Sequence, residues 1–177
     1  TVDLEAEYKN SLDQRIHEEH RSFEEKFFQA RKKIRETERD NWLSLISPYS
    51  IVGDVRVLMS EFKGQFFLVT TRDRESVLDL LALHNLDIPE FNIFTKKEYA
   101  LYNSKANIIQ DLIGKHQIEK SLFIDDLDEH LESCETIEGL STIQAKWGYV
   151  VPTKKEDNSA DLLKELERFI HGENVRA

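Results

Sequence analysis

The chain has 177 residues, 40% hydrophobic and 33% charged, enough for one domain or for a core with a modest insertion. A formal net charge of −10 argues against nucleic acid as a partner, because phosphate backbones are held by clustered Lys and Arg. No apolar run approaches a membrane span, no charged-then-apolar leader opens the chain, and Cys134 as the single cysteine leaves no internal disulfide. A soluble cytoplasmic protein without a membrane partner is the expectation.

Residues 4 to 46 contain no Gly and no Pro and are crowded with Glu, Lys, Arg and Gln, all tolerant of helix. Apolar or aromatic side chains recur at Leu4, Tyr8, Leu12, Ile16, Phe23, Phe27, Ala30 and Ile34. Steps of three and four place them on one stripe, which is expected to pack within a helical lobe. The basic stretch Arg31-Lys32-Lys33-Ile34-Arg35 is followed by Glu36, Glu38 and Asp40, the mixed pattern of a solvated helix face. A further helix is expected around Trp42, Leu43 and Leu45. His17 and His20 could share a face, but no acidic or cysteine partner completes a metal set.

From Pro48 the pattern changes, and residues 1–47 and 48–177 are read as two domains. Ile51, Val55, Leu58 and Met59 predict a helix ending near Lys63-Gly64. Phe66-Phe67-Leu68-Val69-Thr70 is a short apolar run rich in β-formers and predicts a buried strand. A helix follows through Val77, Leu80, Leu81 and Leu83, then a weaker strand at Phe91-Asn92-Ile93-Phe94. Residues 106–113 predict a helix closing at Gly114. Leu122-Phe123-Ile124 is a clear strand running into Asp125-Asp126. Another helix, containing His130 as a polar helix residue, leads to Gly139. A last strand is expected at 141–145 and a closing helix at 161–170. Strands alternating with helices at this spacing predict an α/β fold with a parallel sheet in a three-layer sandwich. In such sheets chemistry gathers beyond the carboxyl ends of the strands, which directs attention to Thr70, Thr71, Asp125 and Asp126.

Three marks therefore occur in order: a strand ending in Thr70-Thr71, Lys105 opening an amphipathic helix, and a strand ending in Asp125-Asp126. This order resembles motifs two, three and four of the haloacid-dehalogenase-like (HAD-like) superfamily. The stretch Trp147-Gly148-Tyr149 is similar to the segment that follows the last strand in phosphoglycolate-phosphatase-like members. The resemblance spans roughly residues 50 to 150. It implies a Rossmann-like core with an α-helical cap in the first 47 residues, and a Mg²⁺-dependent phosphatase of small phosphorylated substrates. It assigns Thr70 and Lys105 to the phosphoryl group, and Asp126 to the metal with Asp125 direct or through water. Physical chemistry agrees, since phosphoryl transfer needs positioning and charge neutralisation and Mg²⁺ prefers carboxylate oxygens. Each mark also has a plainer reading, the acidic pair and the threonines as helix caps and Lys105 as a surface lysine.

The resemblance further implies an aspartate nucleophile at the end of a first strand, in the form Asp-x-Asp-x-Thr or Val, lying between the strands that carry Thr70 and Asp125. No such strand precedes the helical stretch. Asp126-Leu127-Asp128 has the spacing but is already used as the fourth motif and lacks the Thr or Val. Two expectations follow: that strand lies upstream of Thr1, or the protein is a catalytically silent relative acting as a binding or interaction module.

Overall fold

The computed structural model describes residues 4–62, 64–148, 150 and 155–172. The chain separates into two compact units, Thr1–Ser47 and Pro48–Ala177. The expectations concerning Thr1, Lys63 and Tyr149 lie outside the described residues.

The first unit is helical. Helix α1 spans Leu4–Thr37 and carries Arg35 in its last turn, where its positive charge suits the negative end of the helix dipole. Helix α2, Arg39–Ser44, follows after a single residue and carries the buried Trp42. The stripe on α1 departs from expectation in its second half, the side chains of Leu4, Tyr8, Leu12 and Ile16 lying outside what is described. Phe23, Phe27 and Ile34 are exposed, and within this unit α2 has only six residues beside the 34 of α1. Phe23 and Phe27 instead stack on each other at 6.3 Å, and the Arg31 guanidinium lies over the Phe27 ring at 5.6 Å.

The second unit mixes helices and parallel strands. Helix α3 (Val52–Glu61) leads to β1 (Leu68–Val69). Helix α4 (Arg74–Leu83) is capped by the Asp73 carboxylate, which accepts from Ser76 N at 2.8 Å. A 3-10 turn at Glu90–Asn92 precedes β2 (Ile93–Phe94). Helix α5 (Lys96–Tyr102) was not anticipated. Its signal is Thr95-x-x-Glu98, where the Glu98 carboxylate accepts from Thr95 N at 2.8 Å and Thr95 Oγ1 at 2.7 Å, the reciprocal start of a capping box. Helix α6 (Lys105–His116), β3 (Ser121–Asp125), α7 (Asp128–Glu132), β4 (Leu140–Gln144) and α8 (Ser159–Ile170) complete the unit.

β1 pairs in parallel with β2, Leu68 opposite Ile93. β3 pairs in parallel with β4, from Ser121 opposite Leu140 to Asp125 opposite Gln144. The strands thus form two separate two-stranded sheets in place of one continuous sheet. Alternation along β3 sends Leu122 and Ile124 to one face, where they pack with Ile143 against Ile51 and Val55 near α3 and Leu162 and Leu166 of α8. Asp125 points to the other face, where it meets Lys105 of α6. On α6 itself, Ile108, Ile109 and Leu112 are buried.

Helix α6 reaches from one pair of strands to the other. Its first residue, Lys105, contacts the last residue of β3. At its other end, the ring of His116 lies 5.3 Å from that of Phe67, immediately before β1. The start of β1 therefore lies at the far end of α6 from Lys105. Helix α8 begins beside the end of β4. The Asn158 side chain at its start bonds Gln144 O and Lys146 N, and Phe169 near its end is 6.3 Å from Phe62.

Candidate functional site

The apolar run Leu122-Phe123-Ile124 carries Asp125 to the end of β3 with only 8% of its surface exposed. The residue that meets it is set by a helix start. Ser104 caps α6 by accepting from Asn107 N at 3.0 Å, which fixes Lys105 as the first helical residue. Lys105 is likewise 8% exposed, and its Nζ donates to Asp125 Oδ2 at 2.5 Å. Asp125 Oδ1 accepts from Leu127 N at 3.0 Å and lies 3.0 Å from His130 Nδ1. Burial alone would raise the Asp125 pKa, but the bonds from Lys105, His130 and Leu127 outweigh it and hold the carboxyl below its usual range. A carboxylate with donors on both oxygens stays ionised.

Asp126 follows at the strand exit, half-buried. Its carbonyl accepts from Gln144 Nε2 at 3.2 Å, and the same amide bonds the Asp128 carboxylate. Gly148 presses against the Asp126 side chain so closely that a β-carbon there would overlap Asp126 Cβ and Oδ2. The glycine of Trp147-Gly148-Tyr149 thus has a physical reason: only a residue without a side chain fits beside Asp126.

Thr70 sits just beyond β1, and its backbone N–H continues the pairing to Phe94 O at 2.8 Å. Its hydroxyl accepts from Arg72 N at 3.2 Å, a local turn bond. Of the four residues singled out from sequence, Lys105 and Asp125 are in direct contact and Asp126 is adjacent in the chain. Among the described residues, no hydrogen bond or ion pair joins Thr70 to them. His130 was passed over as a polar helix residue. Its place five residues after Asp125, across one turn into α7, was the available signal.

With Nδ1 on a carboxylate, neutral His130 carries its proton there, leaving Nε2 as an acceptor. The Lys105 ammonium has three donors, and its bond to Asp125 uses one. Among the described residues, no group of three or more His, Cys, Asp and Glu side chains converges as a metal set. Asp125 already accepts on both oxygens, and Asp126 is the other carboxylate of the pair. Mg²⁺ commonly takes one or two carboxylates and completes its shell with waters and substrate phosphates. The acidic pair fits that limited role and no fuller one.

No family model, no curated protein and no solved structure matches this chain. No helix among the described residues is long and apolar enough to cross a membrane.

Proposed function

We propose that the edge formed by Lys105, Asp125 and Asp126 binds a phosphoryl group, and that the protein is a Mg²⁺-dependent phosphatase of a small phosphomonoester. The observation that carries this reading is the buried Lys105–Asp125 pair at the carboxyl end of a parallel strand. Burying two charges is costly, and a hydrophobic pair of similar volume often does as well or better for stability. A parallel-sheet edge is also where α/β folds place ligand chemistry. On this reading residues 48–177 form a three-layer Rossmann-like core and residues 1–47 an α-helical cap.

In this proposal Lys105 directs its remaining N–H donors at phosphoryl oxygens while Asp125 fixes its position. Thr70 donates to a further phosphoryl oxygen. Asp126 would hold Mg²⁺, with Asp125 behind it through water; the ion, when bound, supplies charge neutralisation on the phosphoryl oxygens. The attacking carboxylate is contributed by polypeptide outside residues 1–177. One observation favours a second reading, a catalytically silent binding module: both Asp125 oxygens are engaged within the protein.

Calorimetry with MgCl₂ and inorganic phosphate tests the site. The 177-residue chain should bind phosphate only when Mg²⁺ is present, and Asp126→Asn should remove that dependence. Gly148→Ala, which forces the Asp126 side chain aside, should weaken Mg²⁺ binding by about tenfold, the scale of losing a support for a metal ligand. Equal Mg²⁺ affinity in wild type and Asp126→Asn would reduce the acidic pair to a helix cap. Assayed against phosphorylated sugars, nucleotides and phosphoglycolate, the 177 residues alone should show no turnover. Turnover by them would move the nucleophile to Asp126 or Asp128.

A further inference from the structure

The second half of α1 carries an open apolar row. Ile16, His20, Phe23, Phe27, Ala30 and Ile34 follow one another in the sequence at alternating steps of four and three, the spacing of a coiled-coil seam. Phe23, Phe27 and Ile34 are exposed over 70%, 48% and 41% of their surface. On the adjoining face Phe28, Arg31 and Arg35 are half-buried, with the Arg31 guanidinium over the Phe27 ring. Single exposed apolar residues are ordinary, but a continuous row of them on one helix marks a contact surface.

Charge selects the occupant. Residues 4–20 hold five Asp and Glu against two Lys and Arg, whereas residues 21–37 hold three against six. The helix is thus acidic along its first half and basic along its second. We propose that a second copy of this chain covers the row, with the two α1 helices antiparallel and Phe23 of each copy beside Phe27 of the other. The acidic half of each helix then runs along the basic half of the other, a match that any foreign partner would have to reproduce. By sequence position, this register sets Ile34 opposite Ile16 and the small Ala30 opposite His20. On the flank of the seam it sets Glu19 beside Lys33, and the two-fold axis makes that contact occur twice.

The same flanking charges reject the parallel arrangement. Charges beside a seam set the partner and the direction of a helix pair. In a parallel pair, a residue just before the row meets the residue five places further on in the other helix. That sets Lys26 against Arg31 and Glu19 against Glu24, each twice, and all four are like-charge contacts. The antiparallel pair has opposite charges at both Glu19–Lys33 contacts. Its like charges meet only at the axis, Lys26 with Lys26 and Glu24 with Glu24. Repulsion in the wrong arrangement specifies as much as attraction in the right one. The proposal uses α1 alone and does not rest on the phosphoryl reading.

Sedimentation equilibrium of the 177-residue chain, from about 1 to 200 µM, reads the assembly. The chain should form a dimer that weakens as salt is raised. Phe27→Ser should weaken it at least about a hundredfold, the scale of removing a central aromatic anchor from both copies. Glu19→Lys and Lys33→Glu should each weaken it about tenfold, since each turns two opposite-charge contacts into like ones. Glu19→Lys combined with Lys33→Glu should return the dissociation constant to within about threefold of wild type, because the pairs are opposite again. Circular dichroism checks that each variant keeps its helix; the charge variants lie at exposed positions and decide the matter even where Phe27→Ser does not fold. A monomer across the whole range overturns the proposal and shows that another part of the chain or another protein covers the row. A dimer indifferent to these variants overturns it by placing the interface elsewhere. A dimer tightened by Glu19→Lys alone, or left weak in the double variant, overturns the antiparallel register.

Discussion

Asp125 concentrates the electrostatics of the molecule on one side chain, and two predictions follow from it. Its folded-state pKa lies below the ordinary carboxylate value, so it contributes stability that is complete above its unfolded pKa, near 3.9. That stability is lost as pH falls from there through the lower folded value, when the carboxyl takes up a proton. Urea unfolding of the wild type at pH 7 and at pH 2–4 should show this loss. Asp125→Asn should be less stable at pH 7 and show a shallower decline in acid; an identical acid slope would show that other carboxylates govern it. Lys105 gives the companion prediction. Lys105→Met alone strands a buried carboxylate and should cost about 3–5 kcal/mol, whereas Lys105→Met with Asp125→Leu should recover most of it. Chemical denaturation of the two variants decides the matter, and a double variant no better than the single would mean that His130 and Leu127 need the carboxylate more than Lys105 does. None of this pairing is legible from Lys105 as a letter in the sequence, where Lys96 and Lys97 stand close by. In the sequence it stands out only as the residue that opens an amphipathic helix; its burial in the first turn of α6 belongs to the folded chain.

At the scale of the element, α6 is the helix that orders the second unit. It presents Ile108, Ile109 and Leu112 to the interior and carries Lys105 to the strand end. Ile108 is fully buried, so Ile108→Ala should cost about 2–5 kcal/mol from lost transfer energy and the cavity left behind. A loss below about 1 kcal/mol in a denaturant titration would mean that the site collapses around the smaller side chain. The limits of α6 and β3 were largely readable, because a 3.6-residue period and a short apolar run are strong signals. The strand expected at 66–70 shortens to Leu68–Val69, the two residues that pair with Ile93 and Phe94 of β2. Helix α5 was missed because its seven residues are too few to display a period, although its Thr95–Glu98 start was available to read.

At the scale of the whole molecule, the two units meet at Ser47 and Pro48. Residues 46–49 carry no regular secondary structure, and Leu45 and Tyr49 are exposed. Limited proteolysis should therefore cut first between Ser44 and Ser50 and release a fragment beginning near Pro48. Protection there, with rapid cleavage after Val69, would count against this division. The exposed Phe23 and Phe27 show where sequence periodicity stops being informative. A stripe at helical spacing says which residues share a face, and it says nothing about whether a second element is long enough to cover it.

What the sequence determined by itself is what depends on neighbours along the chain. The Gly- and Pro-free stretch makes a long helix, the apolar runs at 68–69 and 121–125 make strands, and caps such as Ser104 and Asp73 start helices at defined residues. Which strand lies beside which among the described residues, that Lys105 reaches Asp125 across 20 residues of chain, and that His130 joins them were decided only by the tertiary structure. The reason is physical. Local propensities act within a turn or two of backbone, whereas burial, charge pairing and strand edges depend on groups that the sequence keeps apart and folding brings together.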